Sequence, residues 1–367
     1  MKKIFGAVLA FAASSALFAY NPPAGGQNVL RLSEPQLLAG GNSTAGGGLF
    51  DGGDSDSDSK FFGTSPSAIL INPALTAWEQ RNALDLSGTL LHSSNSDDDN
   101  TLGSSFQAGI LLPSRWCVST FLFQGVWSEF IDMPVGNNIN ISYGYAKDIT
   151  DSVSVGLSAS FGYLFGDAGP DWTLSAGLGA YYNYGDWKFL KDIRFGASLL
   201  NLGKMYTSSD TVGIESDEDD FEEAGSWPAL ATLRTGVAAA LIKNEQINLG
   251  MSLDFSYPSF QNLVIDAGLQ MQIHDFMKVY SGWEFDAREF AEDSKNLLPS
   301  IGVSFKFQLN SKKDSFMAEK GWQQSEMTVS GGWKKMYDNI NAFSAGAILD
   351  LGMKDTQAPE IKLWGED

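Results

Sequence analysis

The sequence predicts an all-β protein: a transmembrane antiparallel β-barrel of about fourteen strands with an N-terminal plug segment. Three observations lead to this class. Long segments alternate apolar with small polar residues, an apolar leader begins the chain, and most connections alternate between short and long. Together they describe an exported chain that crosses a membrane with strands rather than helices.

Residues 1–19 have the features of a cleaved secretory signal peptide. Lys2 and Lys3 precede an apolar run from Ile4 to Phe18, and Ala19 offers a small residue for cleavage. The run is too short and wrongly flanked for a membrane anchor. We therefore expect export and a final location in the cell outer membrane.

Residues 20–81 differ in composition from the rest of the chain. They contain Gly-rich and Asp/Ser-rich stretches and read as an irregular element with one short helix near residues 74–80. A wide barrel has an interior that is either filled with water or plugged, and this segment is long enough to be the plug.

The clearest strand spans residues 153–165. Every second residue is apolar or aromatic, from Val153 to Phe165, and those between are mostly Ser or Gly. Because successive side chains of a strand point to opposite faces, one face of this strand is apolar and the other carries small polar side chains. The strand is about twice the usual soluble length, which suits a bilayer with acyl chains on one side and a lumen on the other.

The same pattern recurs through residues 82–353, which we assign to the barrel, with a periplasmic tail at 354–367. The predicted strands are 82–92, 101–112, 115–131, 138–147, 152–165, 171–184, 192–201, 228–242, 246–257, 262–274, 277–285, 298–308, 324–334 and 340–353. Short connections follow most even-numbered strands, as periplasmic turns should. Two predicted connections, 185–191 and 309–323, are long for that side.

Composition excludes several classes of function. A formal net charge of -20 argues against a nucleic-acid partner, which needs a basic surface. The single cysteine, Cys117, allows neither an intrachain disulfide nor a thiolate metal cluster. The acidic run 54–58 lacks the glycine and closing glutamate of a calcium loop, so it reads as a solvated loop. We expect no cofactor and no metal site.

The triplet Asn72-Pro73-Ala74 stands between a Gly/Ala-rich opening and the first barrel strand. This order resembles the long-chain fatty acid transporter (FadL-like) superfamily, which includes the PorV-like barrels and a poorly characterised spirochaete branch. The resemblance covers the whole chain in architecture and residues 35–90 in motif. It implies an N-terminal hatch inside a fourteen-stranded barrel, with the triplet in the hatch. From the residues alone, Asn72-Pro73 also makes a turn into a short helix.

The third strand breaks the alternation, because Phe121, Leu122 and Phe123 put apolar residues on both faces ahead of Gly125. A glycine or bulge can bend a strand, and the resemblance implies a kinked strand that opens sideways toward lipid. We predict this role for residues 121–126. The alternative is that Phe121 and Phe123 pack against the hatch.

Charged residues on the polar face are predicted to lie in the lumen, because charge at membrane depth is costly unless it is paired. Arg194 and Arg234 are expected to meet Asp254, Asp266 or carboxylates of the hatch. These pairs serve either a ligand or the structure alone. The predicted lumen charges are Arg194, Arg234, Asp254, Asp266, Glu284 and Lys306.

The best-supported function is passive uptake of hydrophobic small molecules, such as long-chain fatty acids, across the outer membrane. The partners would be outer-membrane lipid, a hydrophobic ligand and a periplasmic protein. The alternatives are a PorV-like barrel that docks partner proteins without transport, and a general diffusion porin. Catalysis is not expected, because His92 and Ser93 lack an orienting group and an oxyanion site nearby.

Overall fold

A computed structural model of the chain describes most of the predicted barrel and much of the N-terminal segment. The described residues are 26–47, 64–94, 101–128, 137–165, 170–206, 230–244, 246–291, 297–312, 315–320, 322, 324–337 and 339–352. The predicted signal peptide, the acidic stretch 54–58 and the predicted tail 354–367 lie outside the described residues.

Fourteen antiparallel strands form a closed barrel, so the predicted fold class is confirmed. Each strand pairs with its neighbours in sequence, and β1 pairs with β14 to close the ring. The strands are β1 (Asn82–Ser93), β2 (Leu102–Pro113), β3 (Val118–Trp127), β4 (Asn138–Thr150), β5 (Val153–Leu164), β6 (Asp171–Trp187), β7 (Leu190–Lys204), β8 (Thr232–Lys243), β9 (Ile247–Tyr257), β10 (Val264–Ile273), β11 (Met277–Asp286), β12 (Ser300–Asn310), β13 (Gln324–Met336) and β14 (Ile340–Leu351).

The two faces of each strand differ as the alternation predicts. In β5, Leu157 is 56% exposed and points outward, whereas Ser154 is fully buried and points inward. Other apolar side chains of the outer surface are also exposed, among them Leu86, Leu90, Leu174, Leu178, Phe195, Ile301 and Phe343. Trp116, Trp172 and Trp187 are exposed near strand ends, where aromatic residues favour the membrane interface. The outer surface therefore suits a bilayer.

The connections define two ends of the barrel. At the end where even-numbered strands finish, the turns are mostly short, which is typical of the periplasmic side, and we call it the inner end. The predicted long connection 185–191 is only residues 188–189, because β6 and β7 extend further than expected. The connection 311–323 is indeed long and includes a short helix, Phe316–Glu319.

In its described residues, 26–47 and 64–81, the N-terminal segment forms short helical elements. They are α1 (Gly26–Val29), α2 (Pro35–Ala39) and two 3-10 turns, Pro66–Leu70 and Pro73–Trp78. Another short helix, Ala287–Ala291, follows β11, and a 3-10 turn, Pro258–Phe260, follows β9. No helix among the described residues is long and apolar enough to cross a bilayer. The described part of the N-terminal segment is largely buried against inward-facing strand residues.

Candidate functional site

The candidate site is the barrel interior, where the N-terminal segment meets the wall. Asn72 joins three parts of the chain and is fully buried. Its Oδ1 accepts a hydrogen bond from the Ala74 amide at 3.0 Å, which caps the 3-10 turn that begins at Pro73. Its Nδ2 donates to the Thr44 carbonyl at 2.8 Å and to the Ala180 carbonyl of β6 at 2.9 Å. The triplet thus connects the two described parts of the N-terminal segment, residues 26–47 and 64–81, to the barrel wall.

Small residues of the wall form a seat for this triplet. A Cβ on Gly156 of β5 would overlap the backbone of Pro73, and a Cβ on Gly179 of β6 would overlap Asn72. Ser154 Oγ donates to the Ala74 carbonyl at 3.0 Å. The small polar face of β5 is therefore a contact surface for the N-terminal segment, which explains why larger side chains are absent there.

The same close approach continues around the wall. A Cβ on Gly196 of β7 would overlap the Thr44 carbonyl, and one on Gly268 of β10 would crowd Gly41. Gly41 has a φ of 62°, a conformation that favours glycine. Glycines on several strands thus let the backbone of the N-terminal segment lie directly on the barrel.

A network of buried ion pairs, the charged network, lies toward the outer ends of β8, β9, β10 and β11. Arg31 of the N-terminal segment lies 3.1 Å from Asp266 and 3.0 Å from Glu284. Arg234 lies 2.9 Å from Asp254 and 3.5 Å from Asp266. The side chains of all five are at least nine-tenths buried. One cation of the N-terminal segment therefore completes a cluster that the wall begins.

Two further contacts extend this network. Lys334 of β13 lies 3.1 Å from Glu284 and also donates to the side chain of Asn28. The Thr44 amide and hydroxyl donate to Asp254 at 2.6 and 2.8 Å. Every carboxylate in the network thus has a cation or a donor facing it, as buried charge requires.

Burial opposes the charge of Arg31, but the carboxylates of Asp266 and Glu284 outweigh this effect and raise the pKa of its guanidinium. Arg31 is the only lysine or arginine between residues 20 and 59, and our sequence analysis did not single it out. The sequence signal that could have identified Arg31 is its isolation: it is a single cation in a predicted plug, and the predicted lumen contains several carboxylates.

A second charged cluster lies at the inner end. Arg81, directly before β1, lies 2.6 Å from Glu326 and 3.4 Å from Asp350. Lys306 lies 3.0 Å from Glu326. Burial works against the charge of Arg81, yet Asp350 and Glu79 raise its pKa. This cluster holds the end of the N-terminal segment where it enters the first strand.

The predicted lumen charges lie in three places. The charged network contains Arg234, Asp254, Asp266 and Glu284, whereas Lys306 belongs to the cluster at the inner end. Arg194 is fully buried and donates to the Gly47 carbonyl at 2.9 Å, with Asp192 at 3.7 Å. Arg194 therefore also contacts the N-terminal segment, but through a backbone carbonyl.

The outer end of the lumen is apolar instead. Val29, Leu32 and Leu38 of the N-terminal segment pack in one buried cluster with wall and loop residues. The wall and loop members are Leu91, Val126, Leu164, Tyr206, Met336, Tyr337, Ile340 and Ala342. We call this set the outer apolar cluster.

A cavity of about 90 Å³ lies between the two parts of the N-terminal segment and the wall. Its lining combines the apolar Leu37, Ile71 and Leu75 with polar groups of Gln270 and Lys278. Gln270 and Lys278 lie near the inner ends of β10 and β11. The cavity is therefore on the inner side of the plug and has both apolar and hydrogen-bonding walls.

The ladders of β3 with β2 and β4 run without a register shift, so β3 has no bulge among its described pairs. The predicted lateral-opening role of residues 121–126 stays a prediction. Phe121 and Phe123 lie on the outward face, so they do not pack on the N-terminal segment, whereas Leu122 is buried on the inward face. A Cβ on Gly125 would crowd the rings of Phe106 and Trp127, whose centroids lie 5.0 Å apart. Gly125 therefore makes room for outward aromatic packing.

His92 is exposed and Ser93 is buried, so the two side chains lie on opposite faces of β1. Among the described residues, no group of three or more His, Cys, Asp or Glu side chains could hold a metal ion.

The fold and its apolar outer surface define an outer-membrane β-barrel. No family model and no curated protein matches the chain. Among solved structures it is similar to a TodX deltaS2 mutant described as a monoaromatic hydrocarbon channel (12% identity, TM-score 0.48, covering 86% of this chain and 98% of that one). It is also similar to the Pseudomonas putida toluene transporter TodX (11%, 0.46, 86% and 98%) and to a Pseudomonas aeruginosa FadL homologue (11%, 0.42, 85% and 98%). The closed ladder of this chain itself gives the fold.

Proposed function

We propose that this barrel mediates passive uptake of hydrophobic small molecules, such as long-chain fatty acids, with the N-terminal segment acting as its hatch. The observation that carries the proposal is the outer apolar cluster, in which Leu32 is fully buried against inward-facing residues of the wall. A water-filled channel would line this mouth with polar groups instead.

The interior supports a route for such a ligand. An apolar molecule can replace the contacts of Val29 and Leu32 with contacts of its own, because apolar burial is non-directional. On the inner side, the cavity beside Leu37 and Ile71 offers apolar surface next to the side chains of Gln270 and Lys278. A hydrocarbon with one polar end fits this combination of walls.

Passage requires rearrangement of the hatch. The inner cavity of about 90 Å³ is smaller than the roughly 300–1,000 Å³ that ligand pockets usually provide. Release would then follow toward the periplasm or sideways into the membrane. The outer apolar cluster and the charged network would act before the inner cavity.

Reconstitution in liposomes tests the proposal. Labelled fatty acid uptake and ion conductance are measured for the intact protein and for a variant lacking residues 20–81. We expect saturable uptake with low conductance from the intact protein, and higher conductance from the variant. Absence of both uptake and specific binding by the intact protein would contradict the proposal.

A second candidate is a barrel that docks periplasmic proteins and transports nothing. It is favoured by the close packing of the described N-terminal residues, whose backbone lies directly on wall glycines such as Gly156 and Gly196. Intact protein that retains the hatch, binds no fatty acid and conducts no ions would support this candidate. High conductance with the hatch in place would instead support a diffusion pore.

A further inference from the structure

Two turns at the inner end place a cation over an exposed tryptophan ring. Between β2 and β3, the guanidinium of Arg115 lies 4.8 Å from the ring centroid of Trp116. Between β6 and β7, Nζ of Lys188 lies 4.7 Å from the ring centroid of Trp187. All four side chains are exposed. We call them the stacked pairs, and they repeat one arrangement at two separate turns.

The protein itself does not neutralise these two cations. Residues 100–128 contain no Asp or Glu, and Arg115 is their only cation. Beside Lys188, the carboxylate of Asp186 is already paired with Lys191 at 2.7 Å. Among the residues that the structure describes, no carboxylate lies within ion-pair distance of Arg115 or Lys188. Each stacked pair therefore presents positive charge to its surroundings.

A similar stack at the outer end of the barrel differs in this respect. Lys204 of β7 lies 4.3 Å from the ring centroid of Trp172 of β6. Its Nζ also donates to the carboxylate of Asp171 at 2.8 Å. The outer stack thus carries its own counter-ion, whereas the two stacked pairs at the inner end leave that position to an anion from outside the protein.

The local backbone fixes both turns. Ser114 Oγ accepts hydrogen bonds from the amides of Trp116 and Cys117, each at 3.3 Å, and donates to the Cys117 carbonyl at 2.8 Å. Lys188 has a φ of 55°, a conformation that favours Asn or Gly in a two-residue turn. The backbone therefore gives no reason for a lysine at this position, which leaves its exposed side chain as the functional part.

The surroundings of the stacked pairs identify the anion as part of a lipid. Leu112 of β2 and Tyr184 of β6 are exposed on the outward face, so the apolar outer surface continues to Trp116 and Trp187. Tryptophan favours the level of the lipid headgroups, where a long cationic side chain reaches from apolar surface to the polar groups.

Local charge outweighs the net charge of the chain at these turns. The chain carries a formal net charge of -20, but charges further away than the Debye length of about 8 Å are largely screened at physiological ionic strength. One Lys or Arg near the surface of an anionic membrane raises the affinity by about fivefold. A phosphate beside Arg115 or Lys188 is therefore attracted despite the acidic composition.

We infer that the two stacked pairs are binding sites for the headgroup phosphate of an anionic phospholipid in the membrane leaflet at the inner end. The cation binds the phosphate, and the tryptophan ring beneath it contacts the glycerol and the first part of the acyl chains. The inference does not depend on what the barrel transports.

Native mass spectrometry of the full chain in detergent micelles tests the inference. The protein is titrated with phosphatidylglycerol, which is anionic, and with phosphatidylcholine of the same acyl chains, which is zwitterionic. The variants are Arg115→Gln, Lys188→Gln and both together. The matched control is Lys312→Gln, which removes an exposed lysine at the same end that is stacked on no ring among the described residues.

We expect the native protein to retain two molecules of phosphatidylglycerol, each bound about fivefold more tightly than phosphatidylcholine. Each single variant should lose one of the two, the double variant should lose both, and Lys312→Gln should keep both. An equal loss in Lys312→Gln, or a double variant that binds like the native protein, would overturn the inference.

Two competitors distinguish other occupants of the stacked pairs. Inorganic phosphate at millimolar concentration and a short polyglutamate peptide are each added to the protein with bound phosphatidylglycerol. Neither should displace the lipid, because only the lipid adds contacts of its acyl chains with the tryptophan rings. Complete displacement by phosphate would assign the pairs to a free anion, and by the peptide to an acidic protein; either result would overturn the lipid as occupant.

Thermal unfolding in nanodiscs gives a second measurement, made in a bilayer. A lipid that binds only the folded state stabilises it, so phosphatidylglycerol should raise the Tm of the native protein and of Lys312→Gln above the value in phosphatidylcholine. The double variant should show a clearly smaller rise. The same rise in all three proteins would contradict the assignment of the stacked pairs.

Discussion

Two neighbouring regions of the lumen hold the same N-terminal segment by opposite means. Val29 and Leu32 lie in the outer apolar cluster, whereas Arg31 lies between carboxylates of the charged network. Apolar contacts can be exchanged for those of a ligand, but an ion pair that loses one partner leaves a buried charge unpaired. An apolar ligand can therefore enter the first region easily, while the second resists displacement.

The largest expected effect comes from breaking the charged region. Arg31→Met leaves Asp266 and Glu284 without their shared cation, which should destabilise the seated hatch by about 3–5 kcal/mol. The check is thermal unfolding together with conductance in planar bilayers, where the open state should become frequent. Asp266→Asn in the same background should recover part of the loss. Additive effects of the two substitutions would show that they are not coupled.

A smaller effect is expected in the apolar region. Leu32→Ala should cost about 2–4 kcal/mol, because the site is fully buried and a cavity would remain. An apolar cavity can bind a small hydrocarbon, so toluene should restore much of the thermal stability of this variant. Toluene should not restore Arg31→Met. Equal rescue of both variants would remove the distinction between the two regions.

A substitution in the wall glycines that contact Asn72-Pro73-Ala74 should have an intermediate to small effect on stability. Gly156→Ala places a methyl group against Pro73 and should cost about 1–3 kcal/mol through local displacement. Gly331→Ala is the matched control, since its Cβ would have only the Ser344 carbonyl nearby, at 3.7 Å. Limited proteolysis from the periplasmic side measures how often the hatch leaves its seat. Equal proteolysis of the two variants would argue against the seat.

The smallest effect concerns pH. Burial raises the pKa of Glu34 above its ordinary value of 4.5, although the Leu37 and Gln36 amides act against the shift. The folded state therefore binds this proton more tightly, so its contribution is present at low pH and is lost as pH rises through the folded pKa. Asp85 and Lys278 also face Glu34.

Glu34→Gln should consequently be more stable than the native protein at neutral pH, with the difference disappearing below about pH 4. Gln keeps an oxygen that can accept from the Leu37 amide. Thermal unfolding of the two proteins across pH 3–8 measures the difference. A variant less stable than the native protein at pH 7 would contradict the assignment.

The sequence predicted the barrel well because strand alternation is a local signal. The limits of β5 and β13 differ from the predicted ones by two residues or fewer. Tertiary contacts were harder to predict. From the sequence, Gly156 is interpreted as part of the lumen wall, but in the structure the backbone of Pro73 packs directly against it. Gly125 is interpreted as a kink, but in the structure it makes room for two aromatic rings. The role of each glycine depends on a residue that packs against it in the fold, and strand alternation does not identify that residue.

The contacts of the N-terminal segment also bear on the order of assembly. The ion pairs of Arg31 with Asp266 and Glu284 join residues 235 and 253 positions apart, whereas most of the wall ladder joins consecutive strands. The N-terminal segment is synthesised first, yet its partners on β10 and β11 come from the last third of the chain. Contacts of such long sequence separation form late in folding. The N-terminal segment therefore reaches its final contacts only after β10 and β11 have been synthesised and paired.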